Sequence, residues 1–402
     1  MARSEATTRC VLLCSATLLG ALAGCGGSDD GTTAAATPSS VCSQLASSTA
    51  AADTTLTVTY NAAAAVTVSG TALAAHCQID GATNARVGVD GKNYAIGFRL
   101  RMPDNWNGRL VFVGGGGNDG SIGTAVGPNV AFTSAGPAGG MQPALQQGFA
   151  VVSTDGGHTG SSGSDFATDP LAKIDHAYNA YDKTAVNAKA LIKALYGRAP
   201  DHSYFMGCSG GGRQGMMFTQ RFPTYFDGVI AHAPAMRVSS GATIAAMWNN
   251  IALTSIAPTV NGSPILSQAL SQSDPVVLQC SGTKEATCLS AAQVTALQKI
   301  FTGPVNSAAT SLYAWQVTDP GIDQAGWIAW TLGSSTTATP NSAYNTLMGD
   351  ALRWEFFTPS DPTFNILNFN FDTDPLRMAA ESSIYDTTPT PRSPRSRRTA
   401  AS

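Results

Sequence analysis

Apolar and polar residues alternate from Tyr94 to Met102 (YAIGFRLRM), the period of a half-buried β-strand. The run Leu110-Val111-Phe112-Val113 reads as a second strand that ends in four glycines, and Phe149-Ala150-Val151-Val152 as a third that ends at Ser153-Thr154-Asp155. Between Asp175 and Tyr196, Tyr178, Tyr181, Ala185, Ala188, Ile192 and Leu195 recur at spacings of three and four, one stripe of a helix that Gly197 closes. A short strand at Tyr204-Phe205-Met206 precedes a helical stretch that Pro223 stops after Phe222, and Gly228 to Ala233 (GVIAHA) reads as the next strand. Strand and helix alternate, so the pattern predicts an α/β fold with a parallel sheet covered by helices. After Met236 the pattern breaks into short helical pieces and loops that hold Trp248, Trp315, Trp327 and Trp330, which predicts an inserted lid.

Of the 402 residues 12% are charged and 43% hydrophobic, which excludes disorder of the whole. A formal net charge of −3 gives no basic field for phosphate backbones, so nucleic acid is not an expected partner. The apolar run from Val11 to Leu22 behind Arg3 and Arg9 is too short for a membrane span and fits a secretory signal. It ends in Leu22-Ala23-Gly24-Cys25, similar to the bacterial lipobox, which implies an exported outer-membrane lipoprotein held by lipid on Cys25; an ordinary cleavage site is the alternative. The expected organisation is a signal over residues 1–24, a flexible tether over 25–40, a core over 41–235, a lid over 236–355, a return to the core over 356–386 and a tail over 387–402. Export permits disulfides, and the spacings suggest Cys42 with Cys77 and Cys280 with Cys288, leaving Cys208 unpaired.

Gly207-Cys208-Ser209-Gly210-Gly211 matches G-x-S-x-G, the sharp strand-to-helix turn that lifts a serine Oγ above a sheet. Alone, the match fits an ordinary glycine-rich turn; between a predicted strand and a predicted helix it favours Ser209 as a nucleophile. Acyl transfer also needs backbone N–H groups aimed at the developing oxyanion. Gly210 offers one, and Gly115 and Gly116 in the Gly114–Gly117 run are placed for a second, unless that run is a plain flexible loop.

The segment from Ser203 to Gly215 (SYFMGCSGGGRQG) resembles the nucleophile segment of the tannase and feruloyl esterase family, and the resemblance extends over residues 75–386. It implies an exported α/β-hydrolase with a large lid, a Ser–His–Asp mechanism acting on esters of phenolic and other aromatic acids, and a disulfide from Cys208 to a cysteine beside the catalytic histidine. No cofactor and no metal are expected, since 263–280 holds a single acidic residue, Asp274.

Of the five histidines only His232 follows Ser209, where a position on the site floor is favoured over a general base. His158 and Asp155 read as structural or pocket-lining, and Asp319 and Asp323 give no assignable acid. Catalytic acid and base are thus not found. After Asp386 come TTPTPRSPRSRRTAAS, with four arginines within seven positions, read either as a natural basic tail or as a frameshift that removed the last strands. The second is the expectation, and with it little or no turnover. The alternative to an esterase is a surface lipoprotein that binds phenolic or carbohydrate ligands without catalysis.

Overall fold

The computed structural model describes residues 37–127, 142–160, 163–254, 256, 274–285, 287–313, 325–335 and 340–387. Cys25, the expected signal, the tail from 388, Trp315, Asp319, Asp323 and the side chain of Trp327 lie outside the described residues. Helix α1 (Pro38–Gln44) has proline in its first turn, and Thr37 Oγ1 accepts the Ser40 N–H at 3.2 Å. The tether expected through residue 40 is corrected accordingly, because residues 38–40 are capped helix.

Strands β1 (Thr54–Asn61), β2 (Thr67–Val68), β3 (Thr71–Ala72), β4 (His76–Val87), β5 (Asn93–Pro103), β6 (Arg109–Val113), β7 (Ala150–Thr154), β8 (His202–Cys208) and β9 (Gly228–His232) follow in chain order. β2 and β3 pair with each other, and the other seven form one sheet in the order β1-β4-β5-β7-β6-β8-β9. β7, β6, β8 and β9 run parallel, while β1, β4 and β5 are antiparallel to their neighbours, including β5 against β7. The sheet is thus mixed, and the expectation of a parallel sheet holds for its second half. The antiparallel flank needs only short turns, whereas each parallel pairing requires a crossover. β7 is buried along its whole length, as a central strand covered on both faces must be.

Helix α2 (Pro170–Ile174) leads through a wide π turn at Asp175–Asn179 into α3 (Ala180–Tyr196). The expected stripe is buried there through Tyr181, Ala185, Ala188 and Ile192, and Gly197 closes the helix at φ 73°. The expected single helix from Asp175 therefore begins as a π turn. Helix α4 (Gly210–Arg221) follows β8 directly. Phe112 on β6, Phe205 on β8, Phe218 on α4 and Phe226 form an aromatic cluster, with ring centroids 4.7–6.2 Å apart, that seats α4 on the sheet.

Beyond β9, helix α5 (Ile244–Thr254) and helices at Ala291–Thr302, Ala325–Thr331 and Ala343–Ala351 build further cores. The chain returns through 374–387, where the Asp386 carboxylate accepts the N–H groups of Ser239 (2.9 Å) and Ser240 (3.1 Å). Both expected disulfides are formed, Cys42–Cys77 between α1 and β4 and Cys280–Cys288 further on, and Cys208 is free. The bridges fit an oxidising, extracytoplasmic compartment. Among the described residues no helix is long and apolar enough to cross a membrane.

Candidate active site

Gly207 ends β8 in a close backbone packing: a Cβ there would stand 2.4 Å from Gly211 O. The chain then turns through Ser209 at φ 57°, ψ −117°, a region that L-residues rarely adopt. Three backbone hydrogen bonds hold this conformation. Ser209 N–H donates to His232 O (3.1 Å), and its carbonyl accepts from Arg213 N (2.9 Å) and Ala235 N (3.1 Å). The half-buried Ser209 stands at the N-terminus of α4, as the G-x-S-x-G turn predicts.

The Gly114–Gly117 run lies against the other side of this turn. A Cβ on Gly210 would meet Gly117 O at 2.8 Å, and one on Gly211 would meet Gly115 O at 2.5 Å, so the two backbones touch without side chains between them. The Gly115 N–H is engaged, however, donating to Gln214 Oε1 at 3.2 Å. That removes Gly115 from the expected oxyanion donors. Gly117 lines a cavity of about 210 Å³ together with Ser209 and Gly210, and Gly116 faces open space.

That cavity has both apolar and polar lining residues. Trp330, Leu347, Met348 and Phe356 supply apolar surface, whereas Asn118, His176, Arg213 and Glu355 lie among its polar residues. His176 Nδ1 is 3.2 Å from Glu355 Oε2, and both side chains are buried. Burial pushes the Glu355 carboxyl up, but the His176 ring beside it, with Ser164 and His158 adding to it, leaves it below the usual range. Buried Arg213 donates to the carbonyls of Ala177 (2.8 Å) and His176 (3.0 Å), tying α4 to the π turn. Sequence reading missed the His176–Glu355 pair, whose members are 179 residues apart. Of the tryptophans, Trp330 reaches the cavity, whereas Trp248 is buried with its Nε1–H on Lys299 O at 2.6 Å.

The remaining candidates lie nearby or apart. His232 is exposed, with its Nδ1 3.2 Å from Cys208 Sγ. His158 is buried, stacked on Phe166 at 3.8 Å, with Nε2 2.9 Å from Asn118 O. Burial, with His176 adding to it, lowers its pKa to about 4. Asp155 accepts N–H groups from Gly97 (3.0 Å) and Gly157 (2.8 Å), and burial raises it to about 7. Neither lines the cavity, and both hold backbone groups of neighbouring loops and strands.

The family model for tannase and feruloyl esterase matches residues 77–276. A mono(2-hydroxyethyl) terephthalate hydrolase of Piscinibacter sakaiensis is 35% identical over 80% of this chain and 63% of its own length. A probable feruloyl esterase B-1 of Neosartorya fischeri is 41% identical over 33% of this chain and 23% of its own. The chain thus spans less than two thirds of the length of either relative. The crystal structure of feruloyl esterase B from Aspergillus oryzae superposes with a TM-score of 0.67 at 22% identity, covering 87% of this chain and 70% of that one, a likeness of fold. A strand–turn–helix with Ser209 at its turn between β8 and α4, a glycine loop packed on it and the match over 77–276 converge: the chain belongs to the tannase and feruloyl esterase family.

Proposed function

We propose that this protein is a serine carboxylic ester hydrolase for esters of aromatic acids, working through an acyl-enzyme on Ser209. The observation that carries the reading is the half-buried Ser209, held at φ 57° in the wall of the cavity that Gly117 and Gly210 share. Ser209 Oγ adds to the ester carbonyl, the alcohol leaves, and water releases the acid from the acyl-serine. The oxyanion of each tetrahedral state is received by the Gly210 N–H and by the Gly116–Gly117 stretch, which replaces the expected Gly115. A cavity of about 210 Å³ suits one substituted ring, since roughly 150 Å³ holds a benzene. Residues 236–355 act as the lid, with Trp330 its contribution to the wall.

A serine hydroxyl is a weak nucleophile until a base takes its proton. Among the described residues that base is not assigned, because His232 is turned to Cys208 and His176 is held by Glu355. Export with lipid on Cys25 is part of the same reading and is supported by the lipobox-like segment and the two disulfides.

The test is hydrolysis of methyl ferulate, methyl gallate and p-nitrophenyl acetate by the protein and by Ser209→Ala. Against the expectation of little or no turnover drawn from the tail, the reading expects turnover that the substitution abolishes. Absence of turnover, or turnover that survives the substitution, overturns it.

A further inference from the structure

Gln214 is completely buried on α4, five residues after the nucleophile, and it is not among the residues that line the cavity beside Ser209. Its side chain makes two hydrogen bonds to the segment that carries the glycine run and also interacts with the Tyr181 hydroxyl. Oε1 accepts the Gly115 N–H at 3.2 Å, and Nε2 donates to Asp119 Oδ2 at 2.7 Å. The chemistry orients the amide: a backbone N–H can only donate, so Oε1 faces Gly115 and Nε2 is left for Asp119, whose carboxyl burial pushes up. Asp119 N–H in turn donates to Gly116 O at 3.1 Å, closing the turn that holds Gly116 and Gly117. A Cβ on Gly115 would stand 2.8 Å from Asp119 Oδ1, so the carboxylate packs directly on the loop backbone.

We propose that Gln214 is a positioning residue that locks the Gly114–Asp119 turn against the nucleophile elbow, so that one helix presents the serine and also fixes the height of the oxyanion donors. The proposal rests on the esterase reading for its catalytic consequence. Its structural content, the locking of the turn, stands apart from it. Without the amide, the Gly115 N–H and the Asp119 carboxylate are both left in a buried site without this partner. The turn relieves them by moving, which carries Gly116 and Gly117 away from where charge develops. Because oxyanion stabilisation exists only in the transition state, the loss falls on kcat and not on KM.

The experiment compares the full chain with Gln214→Leu and Gln214→Glu. Circular dichroism and thermal unfolding first show that each variant folds. For Gln214→Leu, kcat on p-nitrophenyl acetate falls by about 100-fold, the size of losing one oxyanion donor, while KM changes by less than about threefold. Amide hydrogen exchange in peptides covering 110–122 speeds up, while peptides from α3 do not change. Gln214→Glu sets a carboxyl against Asp119, which Asp155, His176 and Arg213 also influence. One shared proton restores both hydrogen bonds, so the ratio of variant to parent kcat rises as pH falls. A folded Gln214→Leu with parental kcat and parental exchange overturns the proposal and leaves the esterase reading intact. If the parent itself shows no turnover, the esterase reading fails, and hydrogen exchange alone decides the locking: unchanged exchange overturns it and faster exchange supports it. Should Gln214→Leu fail to fold, Gln214→Glu carries the same test through its pH-dependent kcat ratio, and a ratio independent of pH overturns the proposal.

Discussion

Ser209→Gly should be more stable than Ser209→Ala, although both remove the hydroxyl. At φ 57°, ψ −117° the Cβ of any L-residue crowds its own backbone. Such a conformation costs about 1–3 kcal/mol, and it persists only where the surroundings over-determine it. The surroundings do so through the three backbone hydrogen bonds to His232, Arg213 and Ala235. Alanine keeps the Cβ and therefore the strain. Glycine removes it but frees the unfolded chain, which offsets about 0.4–1 kcal/mol. The difference favours glycine by about 1 kcal/mol and reaches about 2 kcal/mol if the strain is at the top of its range. Urea unfolding of the two variants, fitted with a common slope, reads this as a higher midpoint for Ser209→Gly. A glycine variant whose midpoint equals or falls below that of the alanine variant would show that the elbow is unstrained, and would refute the reasoning. Since neither variant keeps the Ser209 hydroxyl, the comparison separates stored strain from chemistry.

Removing the Cys42–Cys77 bridge by a double alanine substitution releases a closed loop with a sequence separation of 35, which corresponds to about 4 kcal/mol of chain entropy; an unchanged unfolding midpoint would contradict it. The neutral His158 ring gives a pH signature. Its folded pKa of about 4 lies below the ordinary 6.5, so its contribution is fully present above pH 6.5 and is lost as pH falls through about 4. Over that interval the stability gap between the protein and His158→Gln shrinks by about 3 kcal/mol, measured by denaturation at each pH. Using the gap cancels the opposing effect of Asp155, whose raised pKa of about 7 makes its contribution fade as pH rises. A gap independent of pH would count against a buried neutral imidazole at position 158.

The elbow was legible because it is local: a strand, a five-residue turn and a helix are contiguous between His202 and Arg221, and steric need fixes glycine at Gly207 and Gly211. The same holds for the buried strands β6 and β7, whose apolar runs have no other use. β1 was not assigned although its sequence alternates, with Thr55, Thr57 and Thr59 exposed and Leu56, Val58 and Tyr60 turned inward. The donor assignment at Gly115 failed for a structural reason. Which way a glycine N–H points depends on Gln214, 99 residues later, and no spacing encodes that. His176 and Glu355 meet only because the π turn at Asp175–Asn179 and a second π turn at Leu352–Phe356 pack around the same cavity. Trp330 could not be separated from Trp248 by pattern, because both are aromatic positions in short helices and only packing assigns one to the cavity and the other to a core.

The bridge between Cys42 and Cys77 also decides how the molecule carries load. Cys42 is fully buried in α1, and Cys77 sits on β4, which is paired on both sides, with β1 and with β5. Tension applied at the N-terminus passes from residue 42 straight into β4 through a covalent bond. It bypasses β1 and the loops up to residue 76, and to advance it must shear two antiparallel ladders at once. The segment between the cysteines is slack in any such pull, and β5, β7 and β6 stand between the strand under stress and β8, the strand that leads into Ser209.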